Sequence, residues 1–119
     1  MADQLSIERS AAFPSYEVLA LSGPLTANNV AIFGNAMRRE QSTQTLIIDL
    51  SEVPYIDSFG LGVLVSAYVS RQKAGRNTVL SGINPRVGKL FEITRVRDVF
   101  LIFSSPEEAV AALRGAANA

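Results

Sequence analysis

The chain predicts a single α/β domain on a mixed β-sheet, and three observations carry that prediction. Two short runs with apolar residues at spacing two open the sequence, helical and strand-like segments alternate after them, and the links between segments are short. With 119 residues and 48% hydrophobic content, there is material for one compact core and too little for two. One domain over residues 1–119, with its core at about 4–114, is therefore expected. The first strand pair should be antiparallel and the later strands parallel, with about four helices as covers and crossovers.

Leu5 and Ile7, then Tyr16, Val18 and Ala20, fall at spacing two around Phe13, Pro14 and Ser15, which reads as the antiparallel pair. Gly23 and Pro24 should end the second strand. Thr26 is placed to cap a helix through about Glu40, in which Val30, Phe33 and Met37 form an apolar stripe. The unbroken apolar run from Thr45 to Leu50 has the character of a strand covered on both faces, the centre of the sheet. A second helix follows Tyr55-Ile56-Asp57-Ser58, with Leu61, Leu64, Val65 and Tyr68 inward and Arg71, Lys73 and Gly75 at its close.

Thr78–Leu80 reads as the next strand. Asn84-Pro85 pairs a cap with a first-turn proline, opening a helix with Val87, Leu90 and Phe91 inward. Val99–Phe103 is expected as the last strand, and Ser105, Pro106 and Glu108 as a capping box starting a final helix that carries Val110 and Leu113. The tail after Arg114 is expected to fray.

Composition narrows the chemistry. The chain has no histidine and no cysteine, which removes the usual hydrolase triads, cysteine–histidine zinc sites and thiolate nucleophiles. No metal or cofactor is expected, and a binding function is favoured over an enzymatic one. Eleven basic and 11 acidic side chains balance to a formal charge of zero, so the phosphate attraction behind nucleic-acid binding has no source. Residues Met1–Ser10 carry Asp3 and no apolar signal core, and the apolar stretch around Phe59–Val69 is too short to cross a bilayer. A cytoplasmic protein without membrane insertion is the expectation.

The link before the second helix, Tyr55-Ile56-Asp57-Ser58-Phe59-Gly60-Leu61-Gly62, is the informative stretch. Sites in open α/β sheets gather at the carboxyl ends of parallel strands and at helix N-termini. Glycines in a helix's first turns cost on the order of 1 kcal/mol each relative to alanine, which points to a bare backbone approached closely. Two readings of Ser58 stand side by side. It caps the helix, worth about 1 kcal/mol, or it accepts a phosphate beside the positive helix end.

These residues resemble the STAS domains of bacterial anti-sigma-factor antagonists, in which an Asp-Ser-x-Gly-Leu-Gly stretch opens the second helix. The resemblance extends from Gly23-Pro24-Leu25 through Leu46–Leu50 and the Asp57-to-Gly62 stretch to Asn84-Pro85 and Leu90-Phe91. It implies that Ser58 is phosphorylated by a partner that is both anti-sigma factor and serine kinase, and is dephosphorylated by a serine phosphatase. The unmodified antagonist would capture the anti-sigma factor and free the sigma factor. Asp57 is implied to position the hydroxyl, and Gly60 and Gly62 to form the bare surface for the partner. Thr26 stands where the family often has an acidic residue, in a loop beside the serine, and Phe59 where a small polar residue is common. Arg95-Val96 replaces a glycine-containing turn.

Other readings remain open. Asp49 closes a central strand as a receiver's phosphoacceptor would, but Leu21-Ser22-Gly23 lacks the acidic pair that holds magnesium; acceptance of backbone hydrogen bonds at the strand end suits Asp49 better. A constitutive STAS scaffold, in a stress-signalling assembly or beside a transporter, shares the fold and leaves Ser58 unmodified. Val63 and Val69 either form a partner groove or pack under a neighbouring helix. Arg38, Arg39, Arg71, Lys73 and Arg76 are explained by solvation and the helix dipole. The sequence leaves the oligomeric state open.

Overall fold

The computed structural model describes residues 4–13, 15–39 and 43–118. Five strands lie in the order β1-β2-β3-β4-β5: β1 (Ser6–Phe13), β2 (Tyr16–Ser22), β3 (Thr45–Glu52), β4 (Asn77–Ser81) and β5 (Ile102–Phe103). β1 pairs antiparallel with β2, and β2, β3, β4 and β5 follow in parallel. The helices are α1 (Val30–Arg39), α2 (Ser58–Lys73), α3 (Pro85–Ile93) and α4 (Pro106–Asn118). The mixed α/β sheet expected from the sequence is the sheet observed. Among the described residues, no helix is long and apolar enough to cross a membrane.

Both faces of the sheet are covered, and unequally. Leu19 and Leu21 of β2, Leu46, Ile48 and Leu50 of β3, and Leu80 of β4 face Phe33, Leu64 and Phe91 from α1, α2 and α3 in the larger core. On the other face Val18, Ile47 and Val79 meet Ala109 and Val110 of α4. The continuous apolar run in β3 follows from this double burial. The spacing-two reading of β2 caught only the smaller face; Leu19, between the residues it selected, and Leu21, just after them, anchor the larger core.

Several boundaries differ from expectation, each for a local reason. Pro14 and Glu40, which the sequence placed in the first turn and at the end of α1, lie outside the described residues. Thr26 does not cap α1. The helix starts four residues later, because Asn29 is buried and turns the chain, accepting from Thr26 N at 2.9 Å and donating to Pro24 O at 2.7 Å. β5 is shorter than Val99–Phe103: a 3₁₀ turn at Val96–Asp98 occupies the approach, and Val99 and Leu101 are exposed. The expected capping box at α4 is half formed. Ser105 Oγ accepts from Glu108 N at 3.1 Å, while the Glu108 carboxylate takes the Ser104 hydroxyl instead. α4 continues to Asn118, past the expected fraying point.

Arg71 corrects a further expectation. It is not a solvated helix-end charge but is buried. Its Nε donates to Thr78 Oγ1 at 2.8 Å and its Nη2 to Thr43 O at 2.7 Å and Asn77 O at 3.0 Å. A guanidinium offers five fixed donors, enough to satisfy carbonyls at the bottom edge of the sheet from one side chain.

Candidate functional site at the start of the second helix

Three links meet at the carboxyl end of the parallel strands. The first, residues 23–29, joins β2 to α1; the second, residues 53–57, joins β3 to α2; the third, residues 82–84, joins β4 to α3. Gly23 has φ +106°, and a Cβ there would lie 2.0 Å from Gln4 O, so only glycine permits this exit from β2. The chain then runs beside the second link. Leu25 N donates to Tyr55 O and Asp57 N to Leu25 O, both at 3.2 Å, a one-residue parallel bridge between Leu25 and Ile56. Asn84 ties in the third link by donating to Val53 O and Pro54 O at 3.1 and 3.2 Å while capping α3 through Val87 N at 2.8 Å.

Asp57 holds the corner. Its backbone is extended, with φ −95° and ψ −177°, and one carboxylate oxygen accepts from Gly60 N at 2.9 Å. The other accepts from Ala27 N at 3.0 Å. Asp57, not Ser58, is therefore the N-cap of α2, and the capping reading of Ser58 is corrected accordingly. Desolvation pulls the Asp57 carboxyl upward, but the amides of Gly60, Ala27 and Phe59 outweigh it, leaving the group below its ordinary value of 3.8.

With the cap supplied by its neighbour, Ser58 is the first helical residue and is exposed. Its hydroxyl has no hydrogen-bond partner among the described residues, Asp57 included. Asp57 thus fixes the serine through the backbone of the corner rather than by touching it. Phe59 is 63% exposed beside it. Nearby, the Arg86 guanidinium lies 4.9 Å from the centre of the Tyr55 ring.

The two glycines separate. Gly62 is exposed and a Cβ there would meet nothing within 4 Å, so it leaves bare backbone at the surface. Gly60 does not. It is buried, and a Cβ would lie 2.2 Å from Leu25 O, so its missing side chain lets the first two links close on one another. Thr26 is in the site's neighbourhood as the resemblance implied, but its Oγ1 serves its own turn by accepting from Asn28 N at 3.3 Å. Ala27 supplies the contact to Asp57. Sequence reasoning missed Asn29 and the Ala27 amide; an asparagine directly before the apolar stripe of α1 was the available signal for the first, and a backbone donor leaves none.

Among the described residues no group of three or more histidine, cysteine or acidic side chains forms a metal site. Asp49 takes one backbone hydrogen bond, from Ser51 N at 3.3 Å, as expected of it, and two from side-chain hydroxyls, Ser51 Oγ and Ser81 Oγ, both at 3.1 Å. What the corner offers is a solvent-facing hydroxyl on a hydrogen-bonded backbone at a helix N-terminus, next to the exposed Phe59.

A five-stranded mixed sheet in this order, covered by four helices, defines a small single-domain α/β class. The STAS domain model matches residues 11–109, and the chain belongs to the STAS domain family. It is similar to the anti-sigma-B factor antagonist of Listeria monocytogenes, 47% identical over 57 residues, 48% of this chain. That match spans about half of the relative, 50% of its length. The anti-sigma-B factor antagonist of Staphylococcus aureus is 29% identical over 105 residues, 87% of this chain and 96% of the relative. In structure the chain resembles the anti-sigma factor antagonist SpoIIAA. The unphosphorylated form aligns with TM-score 0.75 and 20% identity, covering 92% of this chain and 97% of the other. The phosphorylated form, from Bacillus, aligns with TM-score 0.65 and 18% identity over 91% and 99% of the two chains.

Proposed function

We propose that this chain is a cytoplasmic anti-sigma-factor antagonist that works as a partner switch, with Ser58 as the modified residue and no catalysis of its own. Its unphosphorylated form binds an anti-sigma factor that is also a serine kinase and so releases a sigma factor. Phosphorylation of Ser58 ends the binding, and a serine phosphatase restores it. The observation that carries the reading is the free, exposed Ser58 hydroxyl on a corner whose capping is done entirely by Asp57. The antagonist names of the Listeria and Staphylococcus relatives, and the existence of SpoIIAA in both phosphorylation states, support it.

The energetics separate fold from interface. A phosphate adds about 1.5 to 2 negative charges beside the Asp57 carboxylate. Repulsion of roughly 1 to 3 kcal/mol at an exposed position is offset by about 0.3 to 2 kcal/mol from the helix end. The domain tolerates that difference. A partner packed over Phe59 and Gly62 would have to desolvate a dianion, and a loss of about 4 kcal/mol is already a thousandfold in affinity.

The test is a capture experiment from the native cytoplasm with wild type, Ser58→Ala and Ser58→Asp, the bound proteins being identified by mass spectrometry. Wild type and Ser58→Ala are expected to retain an ATPase-fold kinase or anti-sigma factor and Ser58→Asp to lose it. Equal retention by all three would overturn the switch and leave a constitutive scaffold.

A further inference from the structure

A cavity among the described residues lies on the sheet face away from Ser58. α4 covers β3, β4 and β5, so the β1–β2 half of that face becomes the floor of a cleft of about 610 Å³ under the overhang of α4. That volume is the size of a small-molecule site. The cleft persists because its walls carry small side chains: Ala20 from β2, Ala11 from β1 and Ala111 from α4, beside Val18 and Val110. Larger residues at these places would fill the space between α4 and β2. The cleft also has polar ends. Glu107 and Asp49 line it, as does Arg114, which interacts within the chain as well. Glu107 and Arg114 are two helical turns apart on α4, about 10 Å along its axis.

An apolar channel with carboxylates toward one end and a guanidinium toward the other is complementary to a molecule of matching polarity. We propose that this cleft binds a small amphipathic zwitterion: an aliphatic body along Val18, Ala20, Val110 and Ala111, an ammonium group at Glu107 and Asp49, and a carboxylate at Arg114. The site is independent of the reading given to Ser58, which lies on another side of the sheet.

The probe is 8-aminooctanoate, with octanoate and octylamine as single-ended controls, titrated into the full isotope-labelled chain and followed by backbone amide shifts. Saturable shifts are expected at Ser10, Ala20 and Ala111, with each control binding about tenfold more weakly. Arg114→Gln should reduce 8-aminooctanoate to the level of octylamine, and Glu107→Gln should weaken it part of the way to that of octanoate, Asp49 still facing the ammonium. Both replaced residues are exposed, so these variants report on binding and not on folding. Ala111→Phe should fill the cleft and abolish binding of all three probes, while Ser58→Asp should leave binding intact. Absence of saturable shifts at millimolar probe, controls that match the zwitterion, or an Ala111→Phe variant that binds as wild type would each overturn the site.

Discussion

The two ends of α2 are built on opposite terms. At its C-terminus Arg71 is buried and turned inward, tying the helix to the carbonyls of Thr43 and Asn77 and to the Thr78 hydroxyl. At its N-terminus the fixing group, Asp57, uses both carboxylate oxygens on backbone amides and leaves the next residue's hydroxyl facing solvent. One end spends a charged side chain on structure. The other confines structure to Asp57 and Gly60 and keeps Ser58, Phe59 and Gly62 outside it. A surface that is to be modified without unfolding the domain requires that division.

Substitutions can break the division, and the largest effect is expected at the closed end. Arg71→Ala should destabilise the domain by about 3 kcal/mol in denaturant unfolding, because buried carbonyls lose their donors. Next comes Gly60→Ala, at about 2 kcal/mol, since the new Cβ meets the Leu25 carbonyl and backbone must shift. Asp57→Ala removes a cap and the bridge to Ala27 and should cost about 1 to 2 kcal/mol.

The Asp57 effect carries a pH signature. Its carboxyl is depressed in the folded state, so its contribution is complete above the ordinary value of 3.8 and fades as pH falls through the lower folded value. An acid titration of stability should show that component in wild type and lack it in Asp57→Asn. The smallest change is expected at the open surface. Gly62→Ala should raise stability by about 0.5 to 1 kcal/mol, the helix propensity gain at a position with free space. If Gly62→Ala destabilised as much as Gly60→Ala, the two glycines would not differ as described.

The sequence made the architecture legible because its signals were local and mutually consistent. Asn84-Pro85 fixed the start of α3, and the run at Leu46–Leu50 identified the doubly covered strand. The candidate site was legible as a stretch and not as roles. Gly60 and Gly62 are indistinguishable one turn into a helix until the position of Leu25 O is known. An aspartate followed by a serine offers two plausible caps, and which one serves depends on the amide of Ala27, thirty positions earlier. Arg71 was misread for a related reason: an arginine in a helix's last turn matches the dipole rule wherever it points, and burial reverses its meaning. These three misreadings, of Gly60, of the α2 cap and of Arg71, came from tertiary partners that leave no periodicity in the sequence, whereas the shifted element boundaries came from local hydrogen bonds.

The bridge between Leu25 and Ile56 has a kinetic consequence. With the two links stitched through Leu25 N and Asp57 N and clamped by the Asp57 carboxylate, the ground around Ser58 is ordered before any encounter. Docking there incurs little entropy for arranging loops, so association should be set by collision and orientation rather than by a conformational step. The Leu25 and Asp57 amides should exchange with solvent only when the corner opens as a unit, at nearly equal rates.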